Sequence, residues 1–213
     1  MYKGIFFDLD GTIADTELVV IMTMLSFVET YTPNQKVTLH QLLKISGPPI
    51  KDTLHQYFPN EDVEKLIPEF ATKAREFYPK YAVAFPHINA VIQRLKERGI
   101  ATGIVTSKLR LNALLTLDVI GMKDTFDWII TLDEVKHPKP NPDGLHRCLQ
   151  HFQLNPEEVL FVGDTIYDYQ AGKNAGVDTA LVTWSLRSFD ASVQPTFWID
   201  DFATFFETIA RKH

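Results

Sequence analysis

Short apolar segments alternate with helical patterns along the chain from about Phe85 onward. The expected strands span residues 100–106, 128–131, 159–163 and 179–182, and the expected helices span residues 87–98, 109–120, 143–152 and 168–175. An earlier strand is expected at residues 4–7, an edge strand at 197–200 and a last helix at 202–209. Such alternation is typical of a parallel sheet with right-handed helical crossovers. The sequence therefore predicts an α/β fold.

Residues between about 15 and 79 break this alternation. They show helical patterns without strands between them, at residues 18–30, 39–44, 50–57 and 63–77. We therefore expect a core formed by residues 1–14 and 84–213, and an all-helical insertion formed by residues 15–83. The alternative is a set of extra helices that pack flat on the sheet.

Two carboxylates, Asp8 and Asp10, directly follow the apolar strand of residues 4–7. Gly11 permits a sharp turn after them. A pair of neighbouring carboxylates is electrostatically costly unless a cation or a shared proton compensates it. Two solvated loop acids, with Thr12 at the start of a helix, are the plain alternative.

Other chemically active side chains follow other expected strands. Thr106 ends the strand of residues 100–106 and Ser107 directly follows it, and Asp164 follows the strand of residues 159–163. Asp168 comes four residues later, and Lys139 lies in the proline-rich segment 138–142. In an open parallel sheet the carboxyl ends of the strands share one edge, where ligands bind. We therefore expect these residues to converge at one site.

The order of these motifs resembles that of the haloacid dehalogenase-like phosphohydrolases. The motifs are Asp8-Leu9-Asp10-Gly11-Thr12, the strand that ends in Thr106, Lys139-Pro140-Asn141-Pro142, and Gly163-Asp164 with Asp168, and together they span residues 8 to 168. The resemblance implies a Rossmann-like parallel-sheet core with a small all-helical cap, here residues 15–83, that sets substrate specificity.

The resemblance also implies a role for each motif residue. Asp8 would attack phosphorus and form an aspartyl phosphate, and Asp10 would protonate the leaving oxygen and later activate water. Thr106 would donate a hydrogen bond to a phosphoryl oxygen, and Lys139 would neutralise charge on the phosphate and the nucleophile.

A divalent metal ion is expected beside the nucleophile. Asp8 and Asp164 suit a hard cation bound through oxygen, and Mg²⁺ is the best candidate because it uses one or two carboxylates together with phosphate oxygens. The resemblance adds the backbone carbonyl of Asp10. Asp168 would either ligate the metal directly or position a metal-bound water.

Substrate contacts are expected from Thr106, Ser107 and Lys139, and from Gly47 in the cap. The segments Ser46-Gly47-Pro48-Pro49 and Val182-Thr183-Trp184-Ser185-Leu186 resemble those of the phosphoglycolate phosphatase group and of small bacterial pyrophosphatases. The expected substrate is a small phosphorylated metabolite or pyrophosphate.

Composition narrows the partners and the location. The net charge of −6 argues against extended nucleic-acid contact, and a single cysteine gives no intrachain disulfide. The longest apolar stretch, residues 18–28, is too short to span a bilayer. We therefore expect a cytoplasmic monomer or homodimer that binds neither nucleic acid nor membrane.

Three other functions fit parts of the same pattern. A sugar phosphomutase of this fold would use the same nucleophile but would retain the phosphate. A phosphorylation-controlled signalling module also combines Asp, Thr and Lys on a parallel sheet, although its nucleophile follows the third strand. An interaction protein that has kept an enzyme-like scaffold is the third alternative.

Overall fold

Parallel strands form the central sheet of the structure, a computed structural model that describes residues 2–42, 45, 50–185 and 187–210. Its strands are β1 (Gly4–Phe7), β2 (Ala14–Asp15), β3 (Val83–Ala84), β4 (Ala101–Val105), β5 (Trp128–Ile130), β6 (Val159–Gly163), β7 (Asp178–Val182) and β8 (Phe197–Ile199). Within the described residues, six of them form one parallel sheet in the order β5-β4-β1-β6-β7-β8, and β2 pairs with β3.

Helices connect the strands of the sheet and form most of the segment between β2 and β3. The α-helices are α1 (Glu17–Tyr31), α2 (Leu39–Leu42), α3 (Ile50–Tyr57), α4 (Val63–Ala74), α5 (Tyr78–Tyr81), α6 (Ile88–Glu97), α7 (Arg110–Val119), α8 (Asp143–Phe152), α9 (Ile166–Ala175) and α10 (Phe205–Ile209). Short 3-10 helices span Leu132–Glu134, Pro156–Glu158 and Phe202–Thr204. The predicted α/β fold with a parallel sheet is confirmed. Along the described residues, no helix has both the length and the apolar character needed to cross a membrane.

The central strand β1 is buried on both faces. Ile5 and Phe7 pack into one apolar layer with residues of α6, α7 and α10, whereas Phe6 packs into a second layer with residues of α8 and α9. Successive side chains of a strand point to opposite faces, so a continuous apolar run suits a parallel sheet with helices on both sides. Because this burial fixes the end of β1, it also fixes the position of Asp8, which directly follows the strand.

In the unit that contains the main sheet, two helices depart from the sequence prediction by two or more residues at one end. Helix α9 begins at Ile166, two residues before the expected start, because Thr165 is its N-cap. The Thr165 hydroxyl accepts from the Asp168 N–H at 3.3 Å, and Asp168 accepts from the Thr165 N–H at 2.9 Å. This reciprocal capping fixes the start of the helix. The expected final helix is split by the 3-10 turn Phe202–Thr204.

Within the described residues, the chain divides into two compact units, residues 1–14 with 84–213 and residues 15–83. In the second unit, residues of α1, α3 and α4 surround an apolar cluster. The expected helix of residues 63–77 ends at Ala74, and α5 follows as a separate turn with Pro79 in its first turn. Proline lacks the N–H that a continuing helix needs, so the break falls before it. The role of this unit as a specificity cap stays a prediction.

We expect Leu160→Ala to lower the free energy of unfolding by about 2–5 kcal/mol, because Leu160 is fully buried at the centre of the sheet. The exposed Leu111, 58% accessible, provides the matched control, and Leu111→Ala should change stability by less than about 0.5 kcal/mol. Urea unfolding measures both. Equal losses would contradict this account of the core.

Candidate active site

The loop after β1 holds Asp8 at the carboxyl edge of the sheet. Asp8 is 6% exposed, and its N–H donates to the Val162 carbonyl of the neighbouring strand β6 at 2.8 Å. Gly11 has a φ of +77° and closes the following turn by donating its N–H to the Ala14 carbonyl at 2.8 Å. A left-handed φ favours glycine, which explains Gly11 in the motif. The turn therefore fixes the directions in which the chain presents Asp8 and Asp10.

Lys139 joins three segments that are remote in sequence. Its Nζ donates to Asp8 Oδ1 and to Asp168 Oδ1, both at 2.6 Å, and to the Val105 carbonyl at 3.1 Å. The lysine side chain is only 8% exposed. One buried ammonium thus neutralises charge on two buried carboxylates and ties them to the end of β4.

Asp164 uses its two carboxylate oxygens differently. Oδ2 accepts from Arg187 Nη1 at 2.7 Å and from the Ser185 hydroxyl at 3.3 Å. Oδ1 is buried, and no group in the described part of the chain donates a hydrogen bond to it. A buried carboxylate oxygen without a donor is costly, so this atom requires another electrostatic partner.

Asp168 has protein donors on both oxygens. Oδ1 accepts from Lys139, and Oδ2 accepts from the Thr165 hydroxyl at 2.6 Å and the Thr165 N–H at 2.9 Å. The side chain therefore caps α9 and fixes Lys139 at once. Its two predicted metal roles, direct ligation and the positioning of a metal-bound water, stay predictions.

Three of the predicted metal ligands form one buried acidic cluster. Asp8, Asp164 and Asp168 each offer an oxygen, and these oxygens lie within 4.8 Å of one another. Asp164 Oδ1 accepts no hydrogen bond from the described residues, and together with this observation the all-oxygen set fits a hard divalent cation. Asp10, whose predicted contribution is a backbone carbonyl, is not part of this side-chain cluster.

Burial dominates the electrostatics of the cluster. Desolvation raises the pKa of Asp8 to about 7, although the neighbouring Lys139 opposes this shift. Desolvation also raises the pKa of Asp164 well above its usual range, against the effect of Arg187. Burial lowers the pKa of Lys139, but the carboxylates of Asp168 and Asp8 outweigh it and raise that pKa overall. Without a metal, the protein thus disfavours the ionised forms of two acids.

Thr106 and Asp10 lie on neighbouring loops of the same edge. Thr106 is 6% exposed, and its hydroxyl accepts from the Lys108 N–H at 3.2 Å. Asp10 is more exposed, and its Oδ1 accepts from Lys108 Nζ at 2.5 Å. The structure therefore brings Asp8, Asp10, Lys139, Asp164 and Asp168 to the sheet edge that holds Thr106.

Two predicted substrate contacts do not gain such support. Ser107 is exposed to solvent. Gly47, with the adjoining Gly-Pro-Pro segment, lies outside the residues that the structure describes. Both assignments stay predictions.

Sequence reasoning missed the contacts of Lys108 and Arg187, and it treated the segment after β7 only as a family resemblance. That segment supplies Arg187 and Ser185 to Asp164, and Trp184 Nε1 donates to the Gly11 carbonyl at 3.2 Å. A signal was present, because β7 is parallel to β6 and its carboxyl end must lie at the same edge.

Comparison with known proteins agrees with this geometry. The model of the haloacid dehalogenase-like hydrolase family matches residues 5–182. Pyrophosphatase PpaX of Bacillus thuringiensis (strain Al Hakam) is 34% identical over 198 residues, which cover 92% of this chain and 91% of that protein.

Solved structures show the same fold. A haloacid dehalogenase-like hydrolase from Bacteroides fragilis has a TM-score of 0.86 and 25% identity, and the alignment covers 96% of this chain and 100% of that chain. A predicted phosphoglycolate phosphatase from Haemophilus somnus has a TM-score of 0.87, covers 97% of each chain and is 20% identical, so it supports the fold alone. The chain belongs to the haloacid dehalogenase-like hydrolases.

We expect Asp8→Asn to raise the free energy of unfolding of the metal-free protein at pH 8 by roughly 1–4 kcal/mol, since asparagine cannot carry the charge that burial disfavours. The pKa of Asp8 is raised from 3.8 to about 7, so between these pH values the folded protein keeps a proton that the unfolded chain has lost. The gain should therefore be small near pH 4, grow as pH rises, and level off above about pH 7.

Urea unfolding of both proteins in a chelator between pH 4 and pH 8 measures this gain. A gain that shrinks as pH rises would contradict the assigned cause.

We expect Mg²⁺ to stabilise the wild-type protein, and we expect Gly11→Ala to abolish this stabilisation, because a Cβ at this position would collide with the Asp164 carboxylate. Gly99→Ala is the matched control: its φ of +68° is equally unfavourable for alanine, but no atom of the described residues lies within 4 Å of the added Cβ. Both variants should lose about 1–2 kcal/mol from backbone strain. Thermal unfolding with and without MgCl₂ separates them, and a Gly11→Ala variant that responds to Mg²⁺ like the wild type would refute the prediction.

Proposed function

We propose that this protein is a Mg²⁺-dependent phosphohydrolase that transfers a phosphoryl group from a small phosphorylated substrate to Asp8 and then hydrolyses the aspartyl phosphate. The chain is a hydrolase of the phosphatase class. The observation that carries the proposal is the convergence of Asp8, Lys139 and Asp164 in one buried site.

Asp8 is the nucleophile in this mechanism. Its burial removes water that would otherwise compete for the carboxylate, and Lys139 lies 2.6 Å from Oδ1 to stabilise the ionised form. Attack by a carboxylate oxygen on phosphorus forms the Asp8–phosphate bond and releases the leaving oxygen. A carboxylate nucleophile divides one difficult displacement into two easier steps.

Asp10 is the acid and base. The Asp10 side chain is 36% exposed. It can therefore reach the leaving oxygen of a substrate that lies outside the buried cluster around Asp8. In the first step it gives a proton to the leaving oxygen, and in the second it takes a proton from the water that attacks the aspartyl phosphate. One group thereby serves both steps.

Lys139 and Thr106 are assigned to the phosphoryl oxygens. The Thr106 hydroxyl accepts from the Lys108 N–H, which leaves its own hydrogen to donate to a phosphoryl oxygen. The Lys139 ammonium is held by three acceptors and therefore offers charge at a fixed position. Such preorganised donors stabilise charge as it develops during transfer.

The metal site follows from the charges of the cluster. The carboxylates of Asp8, Asp164 and Asp168 outnumber the two cations Lys139 and Arg187 by one negative charge. Asp8, Asp164 and the Asp10 carbonyl would hold the ion, with Asp168 as a direct or water-mediated ligand. When bound, Mg²⁺ offsets the repulsion between these carboxylates and an incoming phosphate.

The substrate class is narrowed by the relatives. The 34% identity to a pyrophosphatase over most of the chain favours pyrophosphate as the first candidate. Phosphoglycolate-like monoesters, which the resemblance of the sequence motifs implies, are the second candidate. Residues 15–83, including Gly47, are assigned to substrate selection, and Ser107 to contact with the leaving group. A cytoplasmic location and a monomeric or homodimeric state stay predictions.

We expect the wild-type protein to release phosphate from pyrophosphate, phosphoglycolate or 4-nitrophenyl phosphate only when Mg²⁺ is present, and a chelator to abolish this release. Asp8→Asn should lower the turnover number at least about 10³-fold, because the attacking atom is lost. A malachite-green assay measures free phosphate, and Lys123→Met, at an exposed site, provides the control.

Undiminished turnover by Asp8→Asn would end the proposal. A phospho-Asp8 that persists for hours without phosphate release would favour the signalling module. Transfer of phosphate between sugar positions without release would favour the phosphomutase.

A further inference from the structure

The side chain of Lys108 is largely buried, and its ammonium lies between two other side chains. Its Nζ donates to Asp10 Oδ1 at 2.5 Å and to the Thr116 hydroxyl oxygen at 3.0 Å. The lysine side chain is 9% exposed, whereas that of Asp10 is 36% exposed. Lysine is rarely buried to this degree unless it is paired. The less exposed Lys108 therefore holds the more exposed Asp10.

The backbone of Lys108 is fixed on both sides. Its N–H donates to the Thr106 hydroxyl at 3.2 Å, and its carbonyl accepts from the Leu132 N–H at 3.0 Å. These bonds anchor the residue to the ends of β4 and β5. The side chain of Lys108 therefore starts from a rigid position.

Thr116 fixes the far end of the lysine side chain. This threonine is fully buried on α7, and its hydroxyl donates to the Asn112 carbonyl at 2.8 Å. Because the hydroxyl hydrogen is used within the helix, a lone pair is directed to the Lys108 ammonium. The anchor of Lys108 is thus part of the helix itself.

We propose that Lys108, anchored by Thr116, is a positioning residue that holds the Asp10 carboxylate in the orientation needed for proton transfer; this inference rests on the proposed function of Asp10. The charge-assisted bond to Oδ1 fixes the rotation of the carboxylate, so the second oxygen keeps one direction. Asp10 is partly exposed, so loss of the bond to Lys108 would give its carboxylate more rotational freedom. Lys108 acts through Asp10 and does not itself contact the reacting atoms.

The test compares steady-state kinetics of Lys108→Met with wild type. We expect the turnover number to fall about 10–100-fold, since a small misplacement of a catalytic group has effects of this size, while KM changes by less than about threefold. Thr116→Val removes the anchor and keeps the lysine, so it should lower turnover by a smaller factor in the same direction. Lys123→Met at an exposed site should leave both constants unchanged. Circular dichroism and thermal unfolding verify that each variant is folded.

The Asp10→Asn background separates positioning from direct substrate contact. If Lys108 acts through Asp10, then Lys108→Met in Asp10→Asn should change the rate by no more than about twofold. An equal loss in both backgrounds, or a loss confined to KM, would overturn the inference.

The acidity of the leaving group gives a second measure that does not need activity in Asp10→Asn. Phenolate leaves less readily than 4-nitrophenolate and depends more on a proton from Asp10. In single-turnover experiments, Lys108→Met should therefore slow phenol release from phenyl phosphate more than 4-nitrophenol release from its phosphate. Equal slowing of both substrates would refute the positioning role of Lys108 and would leave the proposed function intact. A wild-type protein that cleaves neither substrate nor pyrophosphate would instead refute the proposed function, and the inference with it.

Discussion

The ammonium of Lys139 lies 2.6 Å from both Asp8 and Asp168, and the geometry of the site depends on these two bonds. Each acid is almost completely buried, and a buried carboxylate is stable only when it is paired and hydrogen-bonded. Through the same lysine, the nucleophile loop, the end of β4 and the start of α9 are held together. The side chain of Lys139 therefore both holds the segments at this sheet edge together and places the nucleophile.

The site retains an electrostatic cost. Asp164 Oδ1 has no donor in the described part of the chain, and burial raises the pKa values of both Asp8 and Asp164. Hydrophobic burial of β1 and β6 on both faces stabilises the fold and offsets this cost. Such an arrangement is expected where carboxylates are placed to bind a cation and a substrate, and it favours function over stability.

The parallel sheet and most of its helices could be predicted because their apolar patterns are local and regular. The acidic residues could be placed at one edge because strand ends in a parallel sheet meet there. The pairing of Lys108 with Asp10 and that of Arg187 with Asp164 could not be predicted. The residues of these pairs are 98 and 23 positions apart, respectively, and no local sequence pattern encodes the directions of their side chains. The roles of Gly47, Ser107 and the unit of residues 15–83 stay predictions.

The sequence by itself determined the order along the chain of the strands of the six-stranded sheet and of the helices between them, the glycine turn after Asp8 and the identity of the chemical groups, because these depend on backbone propensity and on spacing along the chain. Only the tertiary structure decided which cation holds which acid, which oxygen of Asp164 lacks a donor among the described residues, and how deeply each group is buried. These properties arise from contacts between distant segments, whose energies depend on distance and burial.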